Sequence, residues 1–319
     1  MNIVLTGSIA FDYLMTFPGY FKDNILPDMI DRISLSFLVD TLVRRPGGIA
    51  ANIGYTMALL GERPRVMATV GSDFEEQRTW LESNGVDTSS IRTIPDLLTA
   101  SFFVTTDRAN AQIASFFPGA MERAAELSIE ELSPKPDVLV ISPNDPAAMA
   151  IYGEQASKLG VPIIYDPSQQ IVRLGPDELR TGIQTAEALF CNEYEYGLIE
   201  EKTGLDAESI LETTTFMVIT RGENGATVAT AEGQADIPVI LPQSIADPTG
   251  VGDAFRGGFL TGYLHKLELY LCAQMGTLAA TYCLEQDGPQ GHHFTWPNYV
   301  KRFRQHFDDK GALDAIKAS

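Results

Sequence analysis

Two glycines, a carboxylate and a small-residue helix lie together late in the chain. They form Asp247-Pro248-Thr249-Gly250-Val251-Gly252-Asp253, followed by Ala254-Phe255-Arg256-Gly257-Gly258-Phe259. Glycines let a backbone approach a ligand, and a helix opening at such a turn aims unpaired N–H groups and the positive end of its dipole at one point. That point suits a phosphate. A carboxylate there is a poor phosphate ligand and a good base for a neighbouring hydroxyl, so Asp253 reads as a general base. Taken alone it reads equally well as a helix cap.

Four other clusters hold similar chemistry. Gly7-Ser8-Ile9-Ala10-Phe11-Asp12 puts a carboxylate just after a first strand, where it can hold a sugar diol or simply cap a turn. Gly47-Gly48-Ile49-Ala50-Ala51-Asn52 opens a helix on two glycines and leaves a polar Asn52 in an apolar run, where it needs a partner if buried. Asn192 and Glu195, three apart, share a helix face and suit either a water-bridged Mg²⁺ or an ordinary helix start. Thr220-Arg221-Gly222-Glu223-Asn224-Gly225 suits a nucleotide or a hairpin connection. Each is weak singly; five at strand ends point to one converging site.

The elements that must position them alternate. Strand-like runs at Ile3–Thr6, Arg65–Val70, Val138–Ile141, Ile163–Tyr165, 188–190 and Phe216–Thr220 are interleaved with helical stretches at 50–60, 74–83, Pro146–Leu159 and 193–201. This predicts βαβ units and a mostly parallel sheet covered on both faces. Ala226–Thr230 and 235–241 read as an antiparallel pair, followed by helices at 251–265, 269–285 and 296–307. The stretches 33–43, 101–106 and 112–117 break the rhythm and read as a small sheet covering the carboxyl ends of the main strands, or else as extra edge strands. The expectation is one domain, 1–319, with a lid inserted at about 13–46 and 96–120.

Composition narrows the classes. Hydrophobic residues make up 45% and charged residues 20%, which suits a globular protein with a substantial core. A formal charge of −19 disfavours DNA or RNA, and no apolar run approaches the ~20 residues of a membrane span. Cys191, Cys272 and Cys283 have no metal-ligand spacing and fit a reducing cytoplasm. No P-loop motif and no dinucleotide fingerprint are present.

The residues quoted above resemble the ribokinase-like (pfkB-type) family of sugar and nucleoside kinases over nearly the whole chain. Gly47-Gly48 with Asn52, Asn192 with Glu195, and Asp247 to Asp253 match its signatures, the last of them highly specific. Within the family the chain looks most like adenosine kinases of the actinobacterial type, on residues 34–40, 111–121 and Asp166-Pro167-Ser168-Gln169-Gln170. The resemblance implies a three-layer α/β/α fold with a small β lid, and ATP-dependent phosphorylation of the 5′-hydroxyl of adenosine. A ribose or fructose kinase and a non-catalytic nucleoside-binding regulator are the rivals. Asp253 would be the base, with the N–H groups of Gly250, Val251 and Gly252 as the anion hole. Asp12, Gly48 and Asn52 would hold the ribose, with Ser8 near the base, Phe102 and Phe116 against the purine, and Gln169 and Gln170 lining the pocket. Asn192 and Glu195 would organise Mg²⁺ and phosphates, while Thr220 and Gly222 would line the ATP site. The family often holds K⁺ near Asp247 and Thr249. Where relatives of this type carry Gly-Thr-Gln, this chain has Gly288-Pro289-Gln290, and Pro289 brings neither hydroxyl nor N–H. A homodimer through 33–43 follows from the apolar lid face.

Overall fold

The computed structural model describes residues 1–316. Its elements run β1 (Ile3–Thr6), β2 (Ala10–Thr16), β3 (Thr41–Gly47), α1 (Ile49–Leu59), β4 (Arg65–Val70), α2 (Glu75–Ser83), β5 (Asp87–Thr93), β6 (Ala100–Thr106), β7 (Gln112–Phe117) and β8 (Val138–Ile141). There follow α3 (Pro146–Leu159), β9 (Ile163–Tyr165), α4 (Pro176–Gln184), β10 (Ala188–Asn192), α5 (Glu193–Thr203), α6 (Ala207–Leu211) and β11 (Phe216–Thr220). The chain then forms β12 (Ala226–Thr230), β13 (Gly233–Ile237), α7 (Val251–Leu264), α8 (Leu269–Leu284) and α9 (Trp296–Phe303).

Nine strands form the main sheet in the order β13-β12-β11-β10-β9-β8-β1-β4-β5. Pairing is parallel from β5 to β11 and antiparallel for β12 and β13. Strand alternation splits the core into two layers. Ile3, Leu5, Val138, Val140 and Phe190 face α1, α7 and α8, while Val4, Leu139, Ile141, Ile163 and Leu189 face α3, α4 and α5. The strand order reverses at β1, between β8 and β4, and a crevice at the carboxyl ends of the strands opens at such a point. The three-layer α/β/α expectation holds.

A second sheet, ordered β3-β2-β6-β7, stands apart from the first. Two of its strands differ from the sequence reading. Residues 10–16 form a strand of this second sheet rather than a turn after β1, and its alternation is hidden because Asp12 sits among apolar residues. Of 33–43, only the end is strand, and β3 continues through Arg44-Arg45-Pro46 to Gly47. A proline is tolerated there because β3 is an edge strand. Elsewhere β13 stops at Ile237, where Pro238 offers no N–H to continue it, and α9 stops at Phe303 rather than Phe307. The sequence reading missed the edge strand β5, whose one apolar residue is Ile91, and the short helices α4 and α6; α4 offers only Leu179 and Ile183 as apolar anchors.

Candidate active site

Gly250 is the N-cap of α7, at φ 78°. This left-handed backbone disfavours any other residue, and a Cβ there would also run into Pro289. The N–H of Val251 turns back on Pro248 O over a long 3.4 Å, whereas the N–H groups of Gly250, Gly252 and Asp253 make no hydrogen bond among the described residues. Free N–H groups at the positive end of a helix dipole suit an anion. Asp253 is the third residue of the helix and not its cap. Its Oδ2 accepts a hydrogen bond from Asn52 Nδ2 at 2.8 Å, on another helix.

The donor that meets Asp253 is oriented from a distance. Indole N–H groups only donate, so Trp80 Nε1 fixes the oxygen of Gln290, 3.0 Å away. Gln290 must then present Nε2 to Asn52 Oδ1 at 2.9 Å, which leaves Asn52 Nδ2 for Asp253. Asn52 and Gln290 are both buried, so this order cannot be exchanged with solvent. Asn52 thus has the partner that a polar residue inside α1 requires.

Beneath the hole, Arg256 forms a buried ion pair with Asp166, one bond of which measures 2.9 Å. Burial pushes Asp166 up to about 6 against the pull of Arg256. Asp253 is likewise pushed up to about 6, by burial and the nearby charges of Asp12 and Glu195, with Arg256 and Asn52 opposing. Such a carboxylate is ionised at neutral pH yet basic enough to take a proton.

The second wall is a single row of the lid sheet. Strand register sets Arg45 opposite Asp12, Asp12 opposite Phe102 and Phe102 opposite Phe116. Directly paired residues share a sheet face, so all four side chains line one side. Arg45 on that row reaches Asp247 in the catalytic loop, which identifies the side that faces the site. Asp12 is pushed up to about 6 by burial and by Asp247, with Arg45 opposing.

The remaining expected residues divide. Gly48 has φ 94°, and a Cβ would lie 2.5 to 2.6 Å from the backbone of Ile9, Ala10 and Ser8, so the close approach is real. Ser8 Oγ accepts from Ile49 N–H at 3.3 Å, bracing the same turn. Gln170 is buried and donates to Asn144 O, whereas Gln169 is exposed and makes no such strut. Asn192 and Glu195 form a reciprocal capping box at the start of α5, and Ser168 Oγ donates to Glu195 at 3.1 Å. Thr220 pairs in register with Asn192 on the neighbouring strand, with Gly222 in the turn beyond. Asp247 accepts from Thr249 N–H at 2.8 Å.

Sequence reasoning did not single out Arg45, Trp80, Gln290 or Arg256 as working residues. Only Arg256 left a signal, a cation inside an otherwise apolar helix, which requires a buried partner.

An open α/β sheet with free helix N–H groups, a carboxylate beside them and a covering sheet suits phosphoryl transfer. The chain belongs to the pfkB family of carbohydrate kinases, whose model matches residues 9–294. It is accordingly a phosphotransferase acting on an alcohol. The structure is similar to that of the Burkholderia thailandensis nucleoside kinase in complex with inosine, with a TM-score of 0.87 and 34% identity over 96% of this chain and 98% of that one. The same protein in complex with ADP-inosine gives a TM-score of 0.84 and 35% identity over 96% of each chain. A nucleoside kinase of Methanothermobacter thermautotrophicus is 29% identical over 95% of both chains. A cytidine kinase of Thermococcus kodakarensis is 29% identical over 82% of this chain and 98% of its own.

Proposed function

We propose that this chain is an ATP-dependent nucleoside kinase that phosphorylates the 5′-hydroxyl of adenosine. The observation that carries the reading is the lid row: a carboxylate for a sugar diol lies beside two phenylalanines, on the face turned towards Asp253. A flat base gains from aromatic faces, and a free sugar gains less. The inosine complex of the B. thailandensis relative supports a purine nucleoside, and its ADP-inosine complex supports ATP as donor.

In this reading Asp12, Gly48 and Asn52 hold the ribose, with Ser8, Gln169 and Gln170 around the base. Asp253 takes the proton of the 5′-hydroxyl as its oxygen attacks the γ-phosphorus in line and ADP departs. The free N–H groups of Gly250 and Gly252, joined by that of Val251 once its long contact to Pro248 O is released, stabilise the charge gathering on the transferring group. Thr220 and Gly222 flank the nucleotide. Among the described residues no three acidic, His or Cys side chains converge to cage a metal. Asn192 and Glu195 are tied up in their capping box, which fits Mg²⁺ held through water and substrate phosphates. There the ion supplies charge neutralisation.

The second sheet acts as a lid that excludes water within one domain. Exposed Leu35 and Leu38 in the segment before β3, with Leu42 on β3 and Ile113 on β7, support a homodimer, to be tested by sedimentation at micromolar concentration. No helix among the described residues is long and apolar enough to cross a membrane, and three buried free cysteines suit a reducing cytoplasm. An ATP-consumption panel with adenosine, inosine, guanosine, cytidine, ribose and fructose tests the substrate. Highest kcat/KM on adenosine is expected. Preference for a free sugar would overturn the nucleoside reading, and binding without turnover would favour a regulator.

A further inference from the structure

Arg45 sits where three carboxylates meet. Its Nη1 lies 2.5 Å from Asp247 Oδ2, and its Nη2 lies 2.7 Å from both oxygens of Asp287. Asp12 is its cross-strand neighbour. The Arg45 side chain is 19% exposed and that of Asp247 13%, so the first of these pairs is largely withdrawn from water. Arg45 belongs to the lid sheet, whereas Asp247 opens the loop that carries the anion hole.

The residues here do not fit the potassium ion that the family resemblance implies. An alkali cation needs converging oxygens, and the Asp247 carboxylate is already filled by donors: Arg45 and Gly288 N–H (3.2 Å) on Oδ2, and Thr249 N–H (2.8 Å) on Oδ1. Pro289 packs onto Gly250 and adds no ligand beyond its carbonyl, and Cys283 Sγ is directed at the carbonyls of Thr249 and Pro289. The chain supplies its own positive charge instead.

We infer that the Arg45 guanidinium is the resident cation of the catalytic loop, a positioning residue that clamps Asp247 and Asp287 to the lid sheet and replaces a monovalent metal ion. The planar fork of arginine suits the task, because it can face two carboxylates at once. Its position also couples two motions. If β3 moved away, Asp247 would be left partly buried without its partner, which is costly. Closure of the lid and ordering of the anion hole are therefore one event. The inference rests on phosphoryl transfer at this loop, and is independent of which nucleoside or sugar is the acceptor.

The test pairs a cation series with three variants of the full chain. For the wild type, the thermal midpoint and the turnover of its best panel substrate are measured in KCl, NaCl and tetramethylammonium chloride at equal ionic strength. Neither is expected to depend on the cation. Arg45→Met should lose turnover by roughly the 10²-fold that a displaced reacting group costs, with partial recovery on adding guanidinium or methylguanidinium ions. Arg45→Lys keeps the charge without the fork and should fall between the two. Asp287→Asn, at an exposed partner, should retain the fold and lower turnover least. A wild-type midpoint or rate raised selectively by K⁺ would overturn the inference, as would an Arg45→Met enzyme with unchanged turnover. If Arg45→Met fails to fold, the wild-type midpoint series and Arg45→Lys decide. The midpoint series needs no substrate, so it separates this inference from a failure of the nucleoside reading.

Discussion

The two walls of the site are built in opposite ways. On the main-sheet wall, Asn52, Gln290, Arg256 and Asp166 are buried and Asp253 is half-buried; hydrogen bonds run from Gln290 through Asn52 to Asp253, and an ion pair holds Arg256 to Asp166. On the lid wall, Phe116 is 48% exposed and lies on β7, a strand exposed along its whole length, while Asp12, Arg45 and Phe102 beside it are half-buried. A buried network of hydrogen bonds and an ion pair tolerates one geometry, as the transfer of a phosphoryl group demands. An exposed strand at the edge of a small sheet, as β7 is, can change its side chains at little cost to the fold. On the proposed reading, the reaction is invested in the buried wall and the choice of acceptor in the open one.

The most severe break in the buried wall is Asp166→Asn, which strands the charge of Arg256. A loss of about 3–5 kcal/mol is expected from removing one partner of a buried pair, read as a lowered urea midpoint. An unchanged midpoint would mean that this wall is not held by its ion pair. Gln290→Leu comes next. It leaves Asn52 Oδ1 unpaired and frees the amide to flip away from Asp253, costing about 1–3 kcal/mol in stability and lowering kcat more than it raises KM. A change in KM alone would show that Gln290 serves binding rather than the orientation of the base.

On the open wall, Phe116→Ala should leave stability and kcat nearly unchanged. It should raise KM for the nucleoside by up to about tenfold, matching ~0.5–1.5 kcal/mol of aromatic contact. Equal losses on adenosine and ribose would contradict a base-facing role. The mildest probe is pH. The base must be ionised to act, so kcat/KM should rise as pH increases through about 6 and then level off. Because Asp12 and Asp166 are displaced to the same region, the limb belongs to the coupled carboxylates and not to one residue. Flat activity from pH 5 to 8 would count against a carboxylate base.

The two walls also differ in how far they could be read from sequence. Main-sheet strands such as Val138–Ile141 are continuous apolar runs, and the Asp247–Asp253 loop carries its own glycines, so both the parallel sheet and that loop were legible. The lid was only half legible. Asp12 and Arg45 interrupt the alternation of β2 and β3 because they face a polar site, and Pro46 adds a strand breaker that only an edge position permits. Asn52 announced a need for a partner but not its identity, since Gln290 and Trp80 lie 238 and 28 positions away. Pairings over such distances come from topology, which local periodicity does not encode.

The central claim is that Asp253 is the base at this anion hole, held by Asn52 but not needed to grip the acceptor. It is tested most directly by measuring kcat and adenosine affinity side by side for the wild type and Asp253→Asn. The account predicts that kcat falls by roughly 10²–10⁴-fold, the range for loss of a general base, while adenosine binds within a few-fold of wild type. Near-normal turnover in the variant would contradict it.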